Sequence, residues 1–167
     1  GALTLNAQED VPSFSLSGTI DAYYRANLSA PNDEANTGAL PYAAPSVFAN
    51  QSGFSVGMAN VTFSYEGEDV GFVADLAYGP RANAGVDLNS PDAGGVINEA
   101  YMYWNVSDKL MMMMGRFNNW MGYETLSAAN NFHYSMSHMY SYSARNFNGL
   151  VAQFDLGTDL RNLLILV

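Results

Sequence analysis

From Ser13 to Arg25 the chain alternates without a break. Phe14, Leu16, Gly18, Ile20, Ala22 and Tyr24 take the even positions, and Ser13, Ser15, Ser17, Thr19, Asp21, Tyr23 and Arg25 take the odd ones. A period of two sustained this long is a β-strand with one apolar and one polar face. It is also about twice the usual five or six residues of a globular strand.

The same pattern returns along the chain. Gly53 to Tyr65 carries Ala59, Val61, Phe63 and Tyr65 on one face, and its early half (Phe54, Val56, Met58) runs out of phase. That slip predicts a β-bulge near Met58 to Asn60. Val70 to Gly79 sets Val70, Phe72, Ala74, Leu76 and Tyr78 against Asp75 and small residues. Val96 to Asn105 sets Ala100, Met102 and Trp104 against Glu99, Tyr101 and Tyr103. Lys109–Phe117, Phe132–Tyr142 and Asn148–Leu156 complete the predicted strands, and Arg161–Val167 begins an eighth. No stretch has a helical period.

Composition narrows the solvent and the partners. The 167 residues allow one domain. Only 13% are charged, yet there is no run of 18 apolar residues, so a transmembrane helix is excluded. Six Lys and Arg against 16 Asp and Glu give a net charge of −10, which speaks against nucleic acid as a partner. With no cysteine, disulfides and thiolate chemistry are ruled out. Residues 1–8 read as the tail of a signal peptide. The remainder, 9–167, reads as a single β domain whose closing apolar run, Leu163–Val167, predicts C-terminal truncation.

Connection lengths alternate. Ala26–Ser52, Pro80–Gly95 and Asn118–Asn131 are long, whereas Glu66–Asp69, Val106–Asp108 and Ser143–Phe147 are short. Short turns at one end and long loops at the other is the arrangement of an up-and-down transmembrane β-barrel. Two aromatic girdles are then expected. Phe14, Tyr65, Trp104, Tyr140, Tyr142 and Phe147 fall at predicted short-turn ends. Tyr23, Tyr24, Tyr78, Phe117, Trp120 and Phe132 fall at long-loop ends.

Candidate chemistry is sparse. Asp21, Asp75, Glu99 and Asp155 lie within strands, and nothing pairs any two across a cleft as a glycosidase requires. They read as residues lining a water-filled lumen, together with Arg25, Tyr101 and Tyr103 on the polar faces. His133 and His138 point to opposite faces of a strand and cannot share a metal. Of the run Met111–Met114, at most two side chains could meet one soft ion, and flexible apolar filling is the better reading. No catalytic constellation, metal site or cofactor emerges.

The stretch Leu110–Tyr142 carries more specific wording: Gly115-Arg116-Phe117, then Gly122-Tyr123-Glu124, then Asn131-Phe132-His133-Tyr134-Ser135 with Ser137. With Gly18–Tyr24, Gly71–Gly79 and Asn98–Tyr101, these residues make most of Phe14–Phe154 resemble the outer-membrane β-barrel porins of Gram-negative bacteria. The resemblance implies an outer-membrane channel for passive diffusion of small hydrophilic solutes, with no cofactor and no enzymatic activity. It also implies that Arg116 faces the lumen and that Glu124 sits on a loop folded into the pore mouth. The position after Ser135, often basic in that family, is Met136 here. On this reading the chain is the N-terminal part of a larger barrel in contact with outer-membrane lipid. Many porins are homo-oligomers, although no residue here marks an interface.

Two alternatives stand beside it. One is a complete eight-stranded barrel with a packed interior and a structural or adhesive role. The other is a secreted soluble β-sandwich or lipocalin-like binding module, against which the low charge of both strand faces argues.

Overall fold

The computed structural model describes residues 12–26, 53–85, 96–120, 122–155 and 161–166. The proposed signal-peptide tail and most of the first two long connections lie outside them. Alternating residues form strands wherever a neighbour can complete the ladder. These are β1 (Ser13–Arg25), β2 (Gly53–Glu66), β3 (Val70–Tyr78), β4 (Ile97–Ser107), β5 (Leu110–Asn118), β6 (Asn146–Asp155) and β7 (Arg161–Leu166). They make one seven-stranded sheet in sequence order, and each pairs antiparallel with the next. β1 and β7 are its two edges, so the described sheet is an open up-and-down arc and not a closed barrel. The described strands all lie in this one sheet, with no second layer among them to make a sandwich.

Register decides which residues share a face. Leu16 pairs with Phe63, Val61 with Leu76, Phe72 with Met102 and Met102 with Met114, building one apolar surface across β1 to β5. Much of it is bare: Ile20 is 79% exposed, Phe54 90% and Met102 57%. So many large apolar side chains in the open are stable only against an apolar medium. Aromatics ring this surface at both ends. Phe14, Tyr65, Phe72 and Trp104 lie toward the short turns, and Tyr24, Phe54 and Tyr78 toward the long connections.

One predicted strand is absent. Phe132–Tyr142 belongs to a single long connection, residues 119–145, with a 3-10 turn at Ala128–Asn130 and a short helix at His138–Tyr142. Its alternating pattern is satisfied by irregular backbone, because β5 pairs directly with β6 through Arg116–Asn148 and Phe117–Phe147. Three aromatics expected at short-turn ends therefore lie elsewhere. Tyr140 and Tyr142 lie inside the long connection, and Phe147 is the second residue of β6, at its long-connection end. With the strand removed, the alternation of long and short connections continues through the short link between β6 and β7.

Two bulges shape the polar face. Asp21 pairs with Met58 and Ala22 with Val56, so Gly57 is the extra residue, one position before the predicted slip. Asp75 pairs with Glu99 and Leu76 with Ile97, which makes Asn98 extra. A bulge re-aims side chains, and both bulges do so where the polar face is most crowded.

Candidate pore-lining face and the segment that crosses it

Side chains tie the strands together across the polar face. The main-chain N–H of Thr19 donates to Asn60 Oδ1 at 3.0 Å, and Asn60 Nδ2 donates onward to Asp75 Oδ1 at 2.9 Å. Thr62 Oγ1 donates to the same Asp75 oxygen at 2.9 Å, and Asn98 Nδ2 donates to Asp75 Oδ2 at 2.7 Å. Asp75 is buried. Its carboxyl group therefore accepts three hydrogen bonds from wall residues, which offset the cost of burying it.

Beyond it, Glu99 accepts the Asn118 main-chain N–H at 2.9 Å. Asn146 Nδ2 donates to the Asn98 carbonyl at 3.0 Å and to Asn118 Oδ1 at 2.9 Å, while Asn146 Oδ1 accepts from Arg116 Nη2 at 3.0 Å. Arg116 is buried within this network and pairs with Ala100 and Asn148 in the sheet. The preceding residue, Gly115, has φ +142°, and a Cβ there would run into the Ala100 carbonyl. Only glycine relieves that contact, so the twist ahead of Arg116 depends on it.

Tyr101 meets Phe117 at 5.3 Å between ring centroids, and Trp120 continues the row to Phe147 at 5.1 Å. Tyr103 lies over Gly71, whose missing side chain leaves room for the ring. Arg25 closes β1 opposite Gly53, half-exposed and away from the network.

Segment 119–145 packs over the β1–β3 part of this face. Leu126, Met136 and Tyr140 are buried with Met58 of β2, Ala77 of β3 and Ala82 of the short helix α1 (Pro80–Gly85). Internally, Glu124 accepts the Ser137 main-chain N–H at 2.7 Å and the Ser137 hydroxyl, and Ser137 caps the helix α2 (His138–Tyr142) by accepting the Tyr140 N–H. Both carboxylate oxygens of Glu124 thus shape the segment. Burial pushes the Tyr140 hydroxyl above its ordinary pKa.

Two polar contacts dock the segment. Tyr134 donates its hydroxyl to Asp21 Oδ2 at 2.9 Å. Arg81 of α1 donates from Nε to the Leu126 carbonyl at 2.7 Å and from Nη1 to the Tyr134 carbonyl at 2.8 Å, with its guanidinium carbon 5.1 Å from the centre of the Tyr134 ring. Among the predicted lining residues, Asp75, Glu99 and Arg116 therefore share one network, Asp21 meets the segment and Glu124 lies on it. Arg81 is absent from the residues singled out in the sequence, and Tyr134 figures there only as part of the Asn131–Ser135 motif, with no role given to it. The one available signal for Arg81 was an arginine in a chain with only six basic residues.

The described residues hold no cluster of three or more metal-ligating side chains and no helix long and apolar enough to cross a membrane. An up-and-down antiparallel sheet with one apolar face, one polar face and a long connection folded over the polar side defines a wall of the β-barrel porin class. The chain belongs to the family described as Putative beta-barrel porin-2, OmpL-like, whose model matches residues 13–161. No curated protein matches it, and neither does any solved structure.

Proposed function

We propose that this chain forms part of the wall of an outer-membrane channel for passive diffusion of small hydrophilic solutes, with segment 119–145 as its narrow point. The carrying observation is the packing of that segment on the polar face, while the opposite face stays apolar and bare. Lipid covers the apolar face, and solutes pass along the polar one. The channel needs no cofactor and carries out no covalent step.

The acidic balance of the chain favours cations in the lumen through the summed field of its carboxylates. The test is conductance of the full-length protein in planar lipid bilayers under a salt gradient. Discrete channels whose reversal potential shows cation preference are expected. Absence of any conductance from correctly assembled protein would sink the channel reading, and anion preference would overturn the selectivity.

A further inference from the structure

We propose that Arg81 is the positioning residue that sets the calibre of this channel, by pinning segment 119–145 to the β2–β3 side of the wall. The proposal rests on the channel reading above and adds the residue that governs its narrow point.

Arg81 is 0% exposed. Its two bonded nitrogens both reach main-chain carbonyls of the segment, at Leu126 and at Tyr134. Those carbonyls lie in irregular backbone, with no strand ladder to satisfy them, and a buried carbonyl left without a donor is costly. A guanidinium offers several N–H groups in a rigid fork, so one side chain can fix two points of a loop at once.

The way Arg81 is buried argues for placement over simple stabilisation. None of its hydrogen bonds among the described residues goes to a carboxylate, and Nη2 is buried with no partner. Burying a cation in this way is expensive, and a well-packed apolar residue of similar size would often be at least as stable. The neighbouring cluster of Met58, Ala77, Ala82, Leu126, Met136 and Tyr140 supplies non-directional adhesion. Such packing holds the segment down without choosing where along the wall it sits. The forked bonds to positions 126 and 134 make that choice.

The test compares full-length wild type, Arg81→Ala and Arg81→Lys, each first shown to be assembled by heat-modifiable gel mobility. Unitary conductance and open-channel noise are read in planar bilayers, and hydrogen exchange is followed for amides of residues 122–145. Arg81→Ala should raise both conductance and noise and speed exchange in the segment. Arg81→Lys, which keeps the charge and loses the fork, should fall between the two. Millimolar guanidinium should return Arg81→Ala toward the wild-type conductance, whereas neutral urea should not, and neither should alter the wild type. Unchanged conductance and exchange in assembled Arg81→Ala would overturn the proposal. If neither variant assembles, Arg81 is a folding residue and the proposal also fails. A wild type without conductance refutes the channel reading instead, and the exchange comparison still decides whether Arg81 positions the segment.

Discussion

Tyr134 donates its hydroxyl to Asp21 across 113 positions of sequence, at 2.9 Å, and so joins the long connection to the first strand of the sheet. The contact exists because β2 bulges at Gly57. A Cβ on that residue would collide with Asp21 Oδ2 and lie 2.7 Å from the Tyr134 hydroxyl. A glycine, a carboxylate and a phenol from three separate parts of the chain thus make one docking point.

Alkali should undo that point. Burial first, and then the hydrogen bond and charge of Asp21, push the Tyr134 hydroxyl from 10.0 up to about 12. The neutral phenol is the form the folded protein favours. Its contribution is therefore complete below pH 10 and disappears as pH rises from 10 to about 12. A spectrophotometric tyrosine titration should lose one of its late-ionising groups in Tyr134→Phe, with faster hydrogen exchange around residue 134 over the same pH window. A titration identical in the variant would count against the contact.

Gly57→Ala tests the same point from the wall. The added methyl forces Asp21 and Tyr134 apart in a crowded site, at a cost of about 1–3 kcal/mol. The expected result is an assembled sheet with a lower denaturation midpoint and faster exchange in residues 122–145. Unchanged exchange would mean that the segment docks without this contact.

Leu76→Arg tests which face meets lipid. Leu76 sits on the apolar face of β3, two residues before Tyr78 at the long-connection end, and pairs with Val61 and Ile97. An arginine on the lipid face costs about 2–4 kcal/mol at the bilayer midplane and less toward the interface, so refolding into lipid vesicles should fall while Asp75→Asn, on the other face, still inserts. Normal insertion of Leu76→Arg would reverse the assignment of faces.

Met136→Lys places a cation where segment 119–145 packs on the wall. Met136 is buried at 5% exposure among Met58, Leu126 and Tyr140. An unpaired ammonium there costs several kcal/mol, on the order expected for a desolvated charge. The segment should lift, raising open-channel noise and exposing residues 122–145 to limited proteolysis. Wild-type noise and protection would show that the pocket accepts a charge.

Much of the architecture was legible in the chain itself, because a strand writes its two faces into alternate residues. Ser13–Arg25 emerges with the predicted bounds, and Ala100, Met102 and Trp104 separate from Glu99, Tyr101 and Tyr103 as their spacing required. Alternation is local, however, and cannot report whether a partner strand is present. Phe132–Tyr142 has the period of a strand and lacks one, since β6 takes the place beside β5. The candidate site divides in the same way. The sequence by itself placed Asp21, Asp75 and Glu99 on the polar face. That Asp75 is sealed by Asn60, Thr62 and Asn98, that Tyr134 reaches Asp21, and that Arg81 holds Leu126 and Tyr134 were decided by tertiary structure alone. Those contacts depend on two single-residue bulges and on the path of a long connection. Both arise from cross-strand register and from the burial of Met58, Ala77 and Met136, which no local period encodes.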